Sequence, residues 1–466
     1  MQNTIKDVVV IGGGVVGTAI LRSLSLYDLS ICLIEKQPDI CEGASKANSG
    51  IVHTGFDAPP GSLEAECLKR SRELWPDYAE QLKIPYIPCG ALMIATSDEE
   101  RMIIESTYIP NAEKNGAEVE WLNREEVLEM NPAVTDQTVG ALSIPGESIC
   151  DPFTATRAYA ELAVLNGAEL LLGNGVLDIK ESNDGFVIVL ENGQEVTAKY
   201  IVNATGIKSD EISRMIGDES YTLSPRKGQF ILTEEEIQIS QVILPVPTAK
   251  SKGTLISPVV FGGFLLGPTA EDQLDKEDNS TSAEGIEQVL TGCAKLIPEA
   301  REYKSLRQFA GVRSVCSTGD YVIESSEKNK CFIHAAGIRS TGLSASPGIA
   351  EVVVERLEKA GLQLQENKNA KISVDNLFDD SEENTGEIIC LCRTITKSEI
   401  TNALHGPVPP TTIDGVKRRT GATLGECQGN CCIPRIIDLL SENQTLDEIP
   451  LKGLQNSRLG VKGGTL

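Results

Sequence analysis

The sequence predicts an α/β fold with an appended α-helical module: a dinucleotide-binding unit first, a strand-rich domain interleaved with it, and a small cysteine-rich unit at the C-terminus. Three observations carry this expectation. Gly12-Gly13-Gly14-Val15-Val16-Gly17 sits between an apolar run and a helical stretch. Strand-like patterning dominates from about residue 221 to 318. Five of the 13 cysteines crowd together after residue 389.

In chain order, the β-branched run Thr4 to Ile11 reads as a buried parallel strand. A helix from Val16 to Leu26 and a second strand, Ile31 to Ile34, follow, the latter ending on Glu35. This is the strand–turn–helix–strand setting that the G-x-G-x-x-G pattern requires. Gly12, Gly14 and Gly17 permit the tight turn and the close approach of a pyrophosphate, the helix N-terminus offers unpaired N–H groups, and Glu35 is placed to accept from a ribose hydroxyl. The motif by itself does not choose between FAD and NAD.

Gly90 to Ala95 reads as a strand and Ser97 to Asn115 as a polar helix. Asp151 caps a helix running to Asn166, with Pro152 in its first turn. A strand over 167–172, a hairpin around Asn192-Gly193 and a strand from Lys199 lead to the small-residue turn Ala204-Thr205-Gly206. A further buried strand from Cys331 to Ala336 precedes Gly337-Ile338-Arg339-Ser340-Thr341-Gly342 and a helix from about Pro347 to Ala360. The expected partition is a discontinuous first domain (1–84, 146–220 and 319–362) and a second domain (85–145 and 221–318). An exposed acidic linker (363–387), the cysteine module (388–450) and a tail (451–466) follow.

At 466 residues and 41% hydrophobic, the chain has material for two or three domains with sizeable cores. A formal charge of −25 argues against nucleic acid or anionic membrane as partner. It leaves room for a phosphorylated substrate, because a local arginine pocket opposes the global field. No run approaches the roughly 20 apolar residues of a spanning helix, and the first strand starts with no secretory leader ahead of it, so a cytoplasmic location is expected. The odd cysteine count then favours reduced thiols. Cys32, Cys41, Cys67, Cys89, Cys150, Cys293, Cys316 and Cys331 are scattered singly and read as small core residues.

Taken with Asn48-Ser49-Gly50-Ile51-Val52-His53, Pro225-Arg226-Lys227-Gly228-Gln229 and Gly337 to Leu343, the fingerprint resembles the FAD-dependent D-amino-acid-oxidase (DAO) superfamily over about residues 1–360. The nearest likeness is to its hydroxyacid branch: flavin-linked glycerol-3-phosphate dehydrogenases or oxidases and L-2-hydroxyglutarate dehydrogenases. The resemblance implies a Rossmann-like FAD-binding domain interleaved with an antiparallel substrate-binding sheet. It assigns Gly12, Gly14, Gly17, Glu35, Lys36 and Ser45 to FAD, with Asn48, Ser49 and Gly50 beside them. Ala204, Gly206 and Gly337 join these contacts. The following helix, opened by Thr341, Gly342, Leu343 and Ser344, directs its N-terminus at the flavin, where negative charge develops on reduction.

Oxidising an alcohol carbon needs a hydride acceptor and a base for the hydroxyl proton. Of the three histidines, His53 lies where the family places an active-site histidine; it reads as base or substrate orienter, or else as a loop histidine. His334, in an apolar strand, reads as a satisfied core residue, and His405 has no catalytic reading. Arg313 and Arg339 are the anion-binding candidates, since a guanidinium fork binds phosphate or carboxylate bidentately, and Lys227 is a weaker one. Arg339 in Ile-Arg-Ser-Thr-Gly resembles the glycerol-phosphate branch, where the hydroxyglutarate branch tends to be acidic. The resemblance therefore points to glycerol 3-phosphate oxidised to dihydroxyacetone phosphate. An L-2-hydroxyglutarate dehydrogenase, an amine-oxidising enzyme and a non-catalytic electron-transfer subunit stand as alternatives.

Cys390-Leu391-Cys392 and, further on, Cys427-Gln428-Gly429-Asn430-Cys431-Cys432 supply the thiolates that an iron–sulfur cluster or zinc requires. The pattern resembles the bacterioferritin-associated-ferredoxin-like [2Fe-2S] domain, in which four residues separate the last two ligands. That selects Cys390, Cys392, Cys427 and Cys432, with Cys431 left over. A one-electron centre beside a flavin implies a dehydrogenase that feeds a protein acceptor or companion subunit.

Overall fold

The computed structural model describes residues 5–234, 237–247, 253–374, 386–442, 444–445 and 449. The β-branched run at the start forms the strand Lys6–Ile11 at the centre of a seven-stranded sheet. Ile31–Glu35 pairs with it in parallel on one side and Glu195–Asn203 on the other. Glu169–Leu172 and Phe332–His334 extend the parallel part, and the hairpin Val176–Ser182/Gly185–Leu190 closes one edge antiparallel.

Alternation along Lys6–Ile11 divides the core in two. Val8 and Val10 pack with the helices Val15–Leu24, Leu63–Gln81, Pro152–Leu165 and Gly342–Ala360. Val9 and Ile11 face the hairpin side, against Ile179, Phe186 and Ile188. Asp151 caps its helix as expected, accepting from Thr154 N at 2.9 Å.

The second domain is a nine-stranded sheet built on the long antiparallel pair Leu223–Thr233 and Ser305–Cys316. The sheet is mixed, where the sequence suggested an antiparallel one: Val242–Pro245 lies parallel to Ala91–Ala95 and so joins the two sequence-distant parts. A small three-stranded sheet of Ile51–Val52, Ser148–Cys150 and Tyr86–Ile87 ties the glycine-rich loop to residue 148.

One further expectation is corrected. The last long helix begins at Gly342, five residues before Pro347. Proline cannot donate to the carbonyl four residues back, and the Ser346 hydroxyl donates to that carbonyl, Leu343 O, at 2.9 Å instead. Most side chains of 363–374 are exposed, and the segment is anchored at two points: Val374, 1% exposed, donates its N–H to Gln81 O, and Asn367 N donates to Leu26 O. The rest of the acidic run, 375–385, and the tail 451–466 lie outside the described residues.

The C-terminal module contains the short pair Ile388–Cys390/Ile395–Thr396 and the helices Lys397–His405, Ile413–Thr420 and Ile433–Leu440, around a core of Ile400, Val416, Cys432 and Ile436. All 13 cysteines are free. Among the described residues no helix is long and apolar enough to cross a membrane.

Candidate active site

The glycine turn is closed tightly on itself. Gly12 has φ of 112°, and a Cβ there would lie 2.5 Å from Ala204 O; at Gly17 it would lie 1.9 Å from Gly12 O. Only glycine allows the helix Val15–Leu24 to start this close to the strand ends. Glu35 accepts from Gly13 N at 2.7 Å and Gln37 N at 2.9 Å, and burial pushes its carboxyl above the usual range. Ser45 Oγ accepts from Val15 N at 2.9 Å.

The next turn is shaped by Asn48, which donates to Ser45 O at 2.8 Å and accepts from Gly50 N at 2.9 Å, with Ser49 between them. Ala204 N donates to Ile11 O, and Gly206 and Gly337 adopt φ of 59° and 70°. Lys36, next to Glu35, places its ammonium 3.6 Å from Glu277, on a loop of the second domain. The narrow cradle at Gly12 and Gly17, with helix N–H groups and a buried carboxylate around it, fits the adenosine diphosphate half of a dinucleotide.

His53 is held at both ends. Its N–H donates to Ser344 Oγ at 2.9 Å, and its Nδ1 lies 2.7 Å from Glu147 Oε2. Glu147 is fully buried and also accepts from Thr54 N at 2.7 Å and Thr54 Oγ1 at 3.0 Å. The pairing of Val52 with Ser148 in the small sheet brings these two neighbours together. A carboxylate on Nδ1 keeps the proton on that nitrogen and makes Nε2 the basic one. Sequence reasoning missed Glu147, whose only local signal is a turn, Pro145-Gly146, before a short strand.

The segment 337–344 joins the predicted residues. Ser344, in the first turn of its helix, also accepts Trp75 Nε1–H at its carbonyl, 2.7 Å away. Thr341 donates to Glu64 Oε1 at 2.6 Å, and Arg339 Nη2 to Glu64 Oε2 at 3.1 Å. Glu64, 3% exposed, is a second residue the sequence did not reveal. Gly342 and Leu343 complete the helix start, at the positive end of its dipole.

Arg313 is inside the strand Ser305–Cys316, beside this segment, where Ser314 Oγ donates to Ile338 O at 2.7 Å. Its Nη2 donates to Thr269 O at 2.7 Å, while its buried Nε has no hydrogen-bond partner among the described residues. Desolvation, with Arg226 and Arg339 nearby, brings its pKa down to about 10. Arg226 sits directly across the strand pair and shares that face, but Lys227, one residue on, points to the opposite face and pairs with Asp278 at 2.9 Å. Lys227 is therefore not part of the Arg313 group. His334 is the satisfied core residue expected, 3.0 Å from Asp218 and 3.3 Å from Ser213 Oγ.

In the cysteine module Cys390 and Cys432 are buried in one core cluster, Cys427 is half-buried and Cys392 is exposed. A backbone hydrogen bond from Cys431, with the Cys392 thiol, brings the Cys427 thiol down to about 7. Cys432 is buried and Cys431 exposed. No three His, Cys, Asp or Glu among the described residues are already gathered as a metal-ion site. The chemistry of the donor set, four cysteine sulfurs on one small module, is the kind an iron–sulfur cluster takes.

Comparison with known proteins agrees with this geometry. The FAD dependent oxidoreductase (DAO) family profile matches residues 7–356, and the BFD-like [2Fe-2S] binding domain profile matches 388–442. A glycerol 3-phosphate dehydrogenase of Caloramator mitchellensis is 34% identical, covering 93% of this chain and 94% of its own length. A glycerol 3-phosphate oxidase of Mycoplasma pneumoniae is 30% identical over 79% of this chain and 98% of its own. The solved structure of dithionite-reduced L-α-glycerophosphate oxidase from Mycoplasma pneumoniae with FAD bound superposes with a TM-score of 0.75 at 28% identity, covering 79% of this chain and 98% of that one.

Proposed function

We propose, for a chain that belongs to the FAD-dependent oxidoreductase (DAO) family and ends in a BFD-like [2Fe-2S]-binding domain, that the reaction is oxidation of sn-glycerol 3-phosphate to dihydroxyacetone phosphate. The observation that carries the substrate class is Arg313: its Nε is buried and, among the described residues, has no hydrogen-bond partner, and two further arginines lie close by. Such a group attracts an anion, and the relatives that span most of this chain are named for a phosphorylated one.

FAD, when bound, supplies the hydride acceptor. The substrate hydroxyl gives its proton to His53 Nε2 as the carbon gives up its hydride. Glu147 fixes the tautomer beforehand and stabilises the imidazolium afterwards. Glu64 holds Arg339 and Thr341 as one unit at the helix start, so the cationic side of the site is set before substrate arrives. The glycine turn, Glu35, Ser45 and Asn48 are read as holding the adenosine diphosphate half, and Gly337 with Thr341 to Ser344 as lining the flavin end.

The same reading makes Cys390, Cys392, Cys427 and Cys432 the cluster ligands and sends electrons onward singly to a protein acceptor. Its support is the match of residues 388–442 to a BFD-like [2Fe-2S] binding domain and the contact of Gln428, next to Cys427, with Arg307 on the strand that carries Arg313.

The test is anaerobic addition of glycerol 3-phosphate or L-2-hydroxyglutarate to the holoenzyme, read in the visible spectrum. Bleaching of the flavin band by the phosphate, followed by loss of cluster absorbance, is the expected result. Bleaching by the diacid alone moves the substrate assignment, and a cluster that stays oxidised removes the onward step.

A further inference from the structure

The loop between Glu35 and Ser45, which wraps the glycine turn, is held from its outer side by the cysteine module. Cys41 N donates to Gly13 O at 2.9 Å on the inner side. On the outer side Asp39, 1% exposed, receives Arg419 through both carboxylate oxygens, at 2.7 and 2.8 Å. Arg418 reaches Asp39 at 3.0 Å and Glu42 at 2.9 Å, and also pairs with Asp414. Lys46, one residue after Ser45, pairs with Glu42 and lies 3.6 Å from Asp414.

With Lys417 on Asp414 the network holds three carboxylates and four cations, nearly all buried, and so leaves one positive charge beside the turn. Burial disfavours the Asp39 charge, and Arg419 and Arg418 more than offset that, holding its carboxyl below the usual range.

Two independent features show that this docking is built in. Gly415 faces Asp39 so closely that a Cβ would lie 2.5 Å from Asp39 Oδ2, so a side chain larger than hydrogen would push the helix Ile413–Thr420 away. Beside it, Val408 of the module is buried against Ile40 and Ala160 of the first domain, and Arg157 donates to Arg419 O at 3.2 Å.

We propose that the C-terminal module is a structural half of the FAD site: Arg418 and Arg419 clasp the 36–46 loop against the glycine turn, so that module docking and FAD retention are one coupled equilibrium. An undocked module leaves Asp39 an uncompensated anion beside a ligand pyrophosphate, leaves Glu42 with Lys46 alone, and frees the loop that carries Ser45. A docked module reverses all three. By linkage, FAD must stabilise docking by the same factor that docking tightens FAD. The coupling needs only FAD and not the identity of the substrate, so it stands or falls separately from the reaction proposed above.

The test uses the full chain, stripped of FAD and reconstituted, with FAD affinity read by flavin fluorescence and backbone protection by hydrogen exchange. In the Arg418→Gln/Arg419→Gln variant the FAD dissociation constant rises at least tenfold, and exchange accelerates in both 36–46 and 413–420. Gly415→Ala gives the same direction; because its Cβ would also lie 2.9 Å from Pro410 Cβ within the module, unaltered far-UV circular dichroism and retained iron are the controls that assign the loss to docking. Removing FAD from the unaltered protein accelerates exchange in 413–420. Unchanged affinity in both variants, or exchange in 413–420 indifferent to FAD, overturns the proposal.

Discussion

Glu147 places its Oε2 2.7 Å from His53 Nδ1, and no solvent reaches the carboxylate. The two residues flank the register pair Val52–Ser148, so the backbone pairing itself aligns the ring. A buried carboxylate on the far side of an imidazole sets the tautomer and raises the basicity of the nitrogen that faces the chemistry.

Replacing Glu147 by Gln preserves shape and removes the charge. The rate of anaerobic flavin bleaching by saturating glycerol 3-phosphate is expected to fall about 100-fold with KM little moved, and His53→Asn to cost about 10² to 10⁴, the usual range for a lost general base. A Glu147→Gln enzyme of unchanged rate would remove the pair from the mechanism.

Arg313→Met removes the buried guanidinium and keeps most of the volume. Hydrogen bonds to charged groups contribute about 1.5–3 kcal/mol, which corresponds to a fall of about 10- to 100-fold in kcat/KM for glycerol 3-phosphate. Glycerol, which has no anion to bind, should lose little. Steady-state rates with the two substrates read this directly: an equal loss on both would contradict the anion-site assignment.

Stability should decline on mild acidification through His334. Desolvation lowers its pKa in the folded protein below 6.5 despite Asp218, whose carboxyl is itself held below its ordinary value, through Ser326, Ser220 and His334 hydrogen bonds that outweigh burial. The unfolded chain therefore binds a proton at His334 more readily than the folded one. Its contribution is complete above about pH 6.5 and is lost as pH falls below that value. Urea midpoints measured from pH 7.5 to 5.5 should fall, with a shallower slope in His334→Gln, which is destabilised at the upper end by loss of its 3.0 Å bond to Asp218.

Cys431 and Cys432 separate the two ligand assignments. Cys432 is buried against Cys390, whereas Cys431 is exposed. Cys431→Ser is expected to retain iron and acid-labile sulfide near the unaltered level after anaerobic purification, and Cys432→Ser to lose most of both. The reverse pattern would transfer the fourth ligand to Cys431.

What the sequence by itself determined is local. The glycine turn, the acid closing the second strand, the Asp151 cap and the cysteine spacing are written in neighbouring residues, because backbone torsions and short-range donors govern them. The arginine at 313 was legible as a residue type, not as a buried donor lacking a partner. Tertiary structure alone decided the rest. Glu147 is 94 residues from His53 and meets it only through strand register; Asp39 is 380 from Arg419 and meets it only when the module docks. Strand alternation turned Lys227 away from Arg313. Ser346 let the last helix begin ahead of Pro347. Side-chain partners far apart in sequence follow from topology, and nothing in their own neighbourhoods encodes them.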